Sequence, residues 1–317
     1  MKAMQLWRRL AASLLVLVSL CLTATAFAYE AIDTERSASL TVSFSQEGQG
    51  FSQVEFRIYR VAEVSADGSY ALTGDFQEYP VTLEGLDSSG WRALAQTLDA
   101  YAARDGLEPA ATGMTDQAGQ VSFLGLETGL YLVKGEQYTE GDTRYTPEPL
   151  LVCLPGQGQE AQWDYDVAVT CKFEQEEGTP QTVKRKVLKV WEDGGDKAGR
   201  PEEIAVQLLE DSAVVDTVTL SEENNWQYTW EGLDGSATWQ VTEAETPEGY
   251  TVSVEQEGVT FVMKNTSSTD TPPPPPSSTI PQTGMFWWPV PLLACGGLLL
   301  LLAGCWMRRR REQGHGK

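Results

Sequence analysis

Three polar residues fall where a β-strand pattern asks for apolar ones, and their types together could make a covalent bond. Side chains alternate between the two faces of a strand. In the run from Val187 to Trp191, one face carries Val187, Lys189 and Trp191; in the run from Trp239 to Glu243, one face carries Trp239, Val241 and Glu243. In the last such run the face holds Val259, Phe261, Met263 and Asn265. If these faces form a core, a lysine, a glutamate and an asparagine are buried together. Lone buried charges are expensive, so the three are expected to partner one another. Burial also favours the neutral amine and the neutral carboxyl group. A neutral Lys189 amine is a nucleophile, and a protonated Glu243 can polarise the Asn265 carboxamide and carry protons as ammonia leaves. The product is a Lys189–Asn265 amide. The alternative is a hydrogen-bonded lysine–glutamate pair beside a satisfied asparagine, without covalent chemistry.

Other chemistries are poorly supplied. The single histidine is His315, close to the C-terminus, so the rest of the chain holds no Ser-His-Asp or Cys-His arrangement and no histidine-based metal site. An enzyme, a metal centre or a cofactor is therefore not expected. The formal charge is −22, and residues 29–283 hold 44 of the 45 acidic residues but only 15 of the 23 basic ones, which leaves the middle more acidic still. Such a surface disfavours nucleic acid and anionic membranes as partners. Cys21, Cys295 and Cys305 lie in apolar terminal segments, which leaves Cys153 and Cys171. In an exported chain these two form a disulfide if a hairpin sets their strands side by side; otherwise they are buried free thiols.

The elements that must position these residues follow in order. Residues 1–28 carry Lys2, Arg8 and Arg9, an apolar stretch and Ala26-Phe27-Ala28, the pattern of a secretory signal peptide cut after Ala28. Residues 29–174 form a first β domain: Leu40, Val42 and Phe44 alternate with polar residues, as do Val54, Phe56 and Ile58, with a turn at Asp67-Gly68. One short helix interrupts it, with Ser89 as N-cap, Trp91, Leu94, Ala95, Leu98 and Tyr101 at helical spacing, and an end at Asp105-Gly106. This domain contains no asparagine and only Lys134 and Lys172, so no internal cross-link is expected there. Residues 175–182 read as a linker, 183–266 as a second β domain, and 267–279, with Pro272 to Pro276, as a stiff extended spacer. Residues 280–317 close the chain with Ile280-Pro281-Gln282-Thr283-Gly284, an apolar run from Met285 to Met307 and four arginines, Arg308 to Arg311. At about 1.5 Å of rise per residue the apolar run can cross a bilayer as a transmembrane helix. The arginines hold its far end in the cytoplasm.

Several of these patterns resemble known families. Thr115-Asp116 through Gly119, Phe123 and Leu126, leading into Gly129-Leu130-Tyr131-Leu132-Val133, resembles the signature of pilin-type, immunoglobulin-like sandwiches. Leu188 to Asp193, Arg200-Pro201, Val206 to Leu209, Asn225-Trp226 and Glu248-Gly249-Tyr250 resemble a collagen-adhesin (Cna) B-type domain. Within that likeness Lys189 and Asn265 fall at the cross-linking lysine and asparagine, and Glu243 in a stretch resembling the pilin E-box, with Trp239 for the usual tyrosine. The likeness implies an all-β chain of two tandem immunoglobulin-like sandwiches, flanked by a signal peptide and a C-terminal sorting helix.

Ile280 to Gly284 with its apolar run and basic tail resembles the LPxTG cell-wall sorting signal of Gram-positive surface proteins. The resemblance implies that a sortase attacks the Thr283 carbonyl, releases Gly284 onward, and passes the chain to an amine of peptidoglycan or of a neighbouring subunit. Trp163 to Lys172 resembles the pilin motif of shaft subunits, which makes Lys172 the acceptor in polymerisation. Cys171 replaces the motif's proline and Phe173 the asparagine that follows it. The expected function is thus a pilus subunit anchored to the cell wall. The competing reading is a singly anchored adhesin that binds a host or matrix ligand.

Overall fold

The computed structural model describes residues 30–158, 162–178, 181–195 and 197–268. The expected signal peptide, the proline-rich spacer beyond Ser268, the Ile280–Gly284 motif and the apolar run after it lie outside the described residues. Among the described residues no helix is long and apolar enough to cross a membrane.

Among the described residues the chain is β apart from one α-helix and three short 3-10 turns, and its strands form two sandwiches. In the first, the strands run β1 (Ala38–Ser43), β2 (Glu55–Val64), β3 (Tyr70–Leu72), then helix α1 (Ser88–Asp105), β4 (Ala111–Met114), β5 (Gln120–Leu126), β6 (Gly129–Gly135), β7 (Tyr138–Glu140), β8 (Thr143–Pro147), β9 (Leu150–Leu154), β10 (Asp166–Thr170) and β11 (Phe173–Glu177). One sheet has the order β10-β1-β5 and faces a second of order β9-β6-β2-β3, with β4 also on β2. The alternation explains the packing. Leu40, Val42 and Phe44 meet Phe56, Ile58, Tyr131 and Val133 between the sheets. The residues of the opposite parity, Tyr59, Val61, Leu130 and Leu132, pack under α1. That sheet is apolar on both faces because both are covered, which is why Leu130 to Val133 read as an unbroken apolar run.

The Thr115–Gly119 motif is a latch for this sandwich. Thr115 Oγ1 donates to the Phe51 carbonyl at 2.6 Å and accepts from the Val54 amide at 2.9 Å. Asp116 Oδ1 accepts from the Ala118 and Gln120 amides. Gly119 has φ of +74°, and a Cβ there would stand 2.2 Å from the Phe44 carbonyl oxygen, so only glycine fits.

Two boundaries differ from the sequence reading. Helix α1 is capped by Asp87, whose side chain accepts from the Gly90 amide at 2.8 Å, and not by Ser89. Both are good caps, and Ser89 instead donates to Asp87. The acidic stretch expected to open a linker at 175 is strand β11, paired antiparallel with β8 from Glu177–Thr143 to Phe173–Pro147. Phe173 fixes that register by packing on Phe44, Phe51 and Tyr145.

The second sandwich comprises β12 (Thr182–Glu192), β13 (Glu203–Glu210), β14 (Ala213–Ser221), β15 (Gln227–Asp234), β16 (Trp239–Glu243), β17 (Tyr250–Glu257) and β18 (Thr260–Ser267). Its sheets have the orders β15-β12-β18-β17 and β14-β13-β16. The first and last strands, β12 and β18, are parallel neighbours, in register from Lys186–Thr260 to Glu192–Thr266.

Candidate functional site

Alternation carries Lys189 inward on β12 behind Val187, and Asn265 inward on β18 behind Phe261 and Met263. Glu243 comes from β16, on the facing sheet, behind Trp239 and Val241. Lys189 is 4% exposed, Glu243 1% and Asn265 0%. Val259 precedes β18 and is 43% exposed, so the inward series begins at Phe261.

The three side chains meet across the sandwich. Lys189 Nζ lies 2.7 Å from Glu243 Oε1, and Asn265 Nδ2 donates to the two carboxyl oxygens at 3.0 and 3.2 Å. One oxygen, Oε1, thus receives both the amine and the carboxamide. Asn265 Oδ1 is buried with no hydrogen-bond partner among the described residues. Burial pulls the Lys189 amine down and Glu243 offsets part of that pull, leaving it at about 8, below the ordinary 10.5. Moving one proton from Lys189 to Glu243 turns the ion pair into an amine and a carboxylic acid. That step removes two charges from an apolar site.

An aromatic and ionic rim encloses the triad. Lys189 Nζ stands 4.5 Å from the centre of the Trp191 ring, and Trp226 and Tyr250 meet Trp191 edge-on, each at 5.2 Å. Over the same ring, at 5.8 Å, lies the Arg200 guanidinium, which is held by both oxygens of Asp193. Tyr250 OH donates to Asp193 at 3.3 Å. The Arg200 hydrogen bonds draw the Asp193 carboxyl down to about 2. Asp193 and Arg200 were not singled out from the sequence as site residues. The signal existed, since Asp193 continues the inward series of 187, 189 and 191, but it was hidden in an acidic, glycine-rich turn.

The other candidates among the described residues lie in the first domain. Lys172 is exposed between β10 and β11, and its carbonyl accepts from the Glu148 amide at 2.8 Å. Trp163, Val167 and Val169 pack against the core, and Trp163 Nε1 donates to the Glu30 carbonyl. The two cysteines are free. Their strands are not a hairpin: β9 pairs with β6, while β10 pairs with β1. Cys153 packs on the α1 side of its sheet and Cys171 in the core between the sheets, so of the two alternatives the structure shows separate thiols and not the disulfide. Burial pushes the Cys171 thiol up to about 12.

Residues 185–266 match the family model of the Cna protein B-type domain. Over 84 residues the chain is 40% identical to a collagen adhesin of Staphylococcus aureus, a match covering 24% of this chain and 7% of the adhesin. Among solved structures, it is similar to a single B repeat unit of the S. aureus collagen-binding surface protein. Identity there is 19%, coverage 73% of this chain and 99% of that one, and the TM-score 0.27. The major pilin SpaD of Corynebacterium diphtheriae gives 13% identity, 74% and 99% coverage and a TM-score of 0.28. Scores this low leave the fold to be argued from the strand order above.

Proposed function

We propose that this protein is a cell-surface subunit, anchored through Thr283 by a sortase and locked internally by an amide between Lys189 and Asn265. The observation that carries the locking half is the shared oxygen of Glu243, which receives the amine and the carboxamide inside a closed apolar core. The chemistry balances within the triad. Glu243 takes a proton from Lys189, and the freed amine attacks Asn265 Cγ. The Cγ–Nδ2 bond breaks, and Glu243 relays the second amine proton to the departing nitrogen. One amide and one ammonia result.

The bond would suit a load-bearing role. Because β12 and β18 are parallel neighbours, tension at the ends of the domain shears one past the other. A bond from Lys189 to Asn265 bears that load directly, so Val190 to Lys264 cannot extend. The B-type match of residues 185–266 and the likeness to a collagen adhesin support surface display. The Ile280–Gly284 motif supports covalent anchoring to peptidoglycan, and the exposed Lys172 supports polymerisation with neighbouring subunits. The second reading, a singly anchored adhesin with a host ligand, is favoured by the replacement of the motif's proline with Cys171.

In a host carrying its sortases, Thr283→Ala should shift the protein from the wall fraction to the medium. Lys172→Arg should abolish a ladder of covalent multimers. Retention of Thr283→Ala in the wall would refute anchoring at that residue. A wild-type protein that never forms a ladder would favour the adhesin.

A further inference from the structure

Helix α1 belongs to the first sandwich but is built into the second. Leu94, Ala95, Leu98 and Ala102 pack on the first domain, whereas Tyr101, 2% exposed, joins the core cluster of the second. Strand β17 is an edge strand, and its outward amides would otherwise be open to other chains. Three of them are captured by the first domain: Val252 N donates to the Pro80 carbonyl, Val254 N to Thr97 Oγ1 and Gln256 N to Gln96 Oε1, each at 2.8 Å. On the facing sheet Arg104 Nη1 donates to the Glu243 carbonyl at 3.0 Å, and Gln240 Nε2 donates to Asp99 Oδ2 at 2.7 Å.

These contacts converge on the triad. Glu243 is itself held by its main chain, and Val252 is the register partner of Asn265. Arg104 thus holds Glu243 directly, while Thr97 reaches Asn265 one register step away, through Val254 and its partner Met263 on the face that carries Asn265. We infer that α1 is a positioning element for the Lys189–Asn265 cross-link, with Arg104 and Thr97 as the positioning residues, so that the bond closes at full rate only with the first domain docked. This rests on the proposed cross-link. Neither residue touches a reacting atom. They set the separation of Glu243 from Asn265, and displacement of about 1 Å at a reacting centre can cost a hundredfold in rate.

The test follows cross-linking in time. The full chain, recovered unfolded from inclusion bodies and refolded, is sampled by intact mass spectrometry for the loss of ammonia, about 17 Da. Arg104→Ala and Thr97→Val should each slow that loss by about tenfold or more. Arg104→Lys, which keeps a donor, should recover most of the rate. In Arg104→Ala the half-maximal pH of closure should also move upward, as water entering the loosened site returns Lys189 towards its ordinary value, a shift that a merely less stable fold would not give. If either alanine-type variant fails to refold, judged by circular dichroism, the other is read in its place. Closure of both variants at the wild-type rate with the wild-type pH profile would overturn the inference. A wild-type chain that never loses mass would instead refute the cross-link and take the inference with it.

Discussion

Each sandwich sets one lysine against a carboxylate largely away from solvent, and the two pairs differ in the features on which the proposed cross-link depends. Lys189 Nζ lies 2.7 Å from Glu243, with both side chains 0% exposed. Lys134 Nζ lies 3.0 Å from Asp99, with side chains 18% and 8% exposed. Burial pulls both amines down. At Lys134 that pull is outweighed by Asp99, with Glu136 adding to it, and the amine is held above its ordinary value. At Lys189 the single carboxylate does not outweigh burial, and the amine falls to about 8. The third member differs as well: Asn265 adjoins Glu243, whereas the first domain has no asparagine at all. On the proposed reading, a lysine–carboxylate pair is not by itself a cross-linking site. Complete enclosure, one carboxylate and a neighbouring carboxamide are what set the Lys189 site apart.

The comparison can be broken at either pair. Asn265→Ala should remove the bond and with it the restraint on the unfolded chain, lowering stability by about 4 kcal/mol on the chain-entropy scale for a loop of this length. Denaturant titration against wild type reads this directly. Glu243→Gln keeps the shape but cannot shuttle a proton. Closure should slow by about a hundredfold or more, followed by mass against time after refolding. Asp99→Ala should leave the final extent of ammonia loss unchanged, though the lost bond to Gln240 can slow its approach, and cost about 2 kcal/mol, less than a fully enclosed pair because water reaches Lys134. A loss of water, about 18 Da, from a bond joining Lys134 to Asp99 would undo the contrast between the pairs.

A smaller effect lies in pH. The folded-state amine of Lys189 is lowered, so between about pH 8 and 10.5 the unfolded chain binds more protons than the folded one. The stability of the uncross-linked Asn265→Ala chain should therefore rise with pH across that window. Below about pH 8 both states hold the proton, and this group adds no slope.

Much of this was legible in the sequence. Period-2 alternation located Lys189, Glu243 and Asn265, because a charge on an apolar face is conspicuous. The helix was legible from Trp91, Leu94, Leu98 and Tyr101. Its second role was not, since it docks on the other domain through Gln96, Thr97 and Asp99, residues that read as a solvated face until a partner strand is known. The pairing of β11 was hidden for a similar reason. A run of glutamates looks like a linker, and only Phe173 anchors it. Alternation also states that Cys153 and Cys171 point inward without saying to which side of which sheet, and the two turned out to serve different packed layers.

The central claim is that Lys189 and Asn265 become one covalent unit. Intact mass spectrometry of the folded chain, followed by sequencing of the joined peptides after digestion, tests it most directly. A mass about 17 Da below that of the sequence, with Lys189 and Asn265 recovered in a single branched peptide, is the predicted result. A full-sequence mass, with both residues in separate linear peptides, would contradict it.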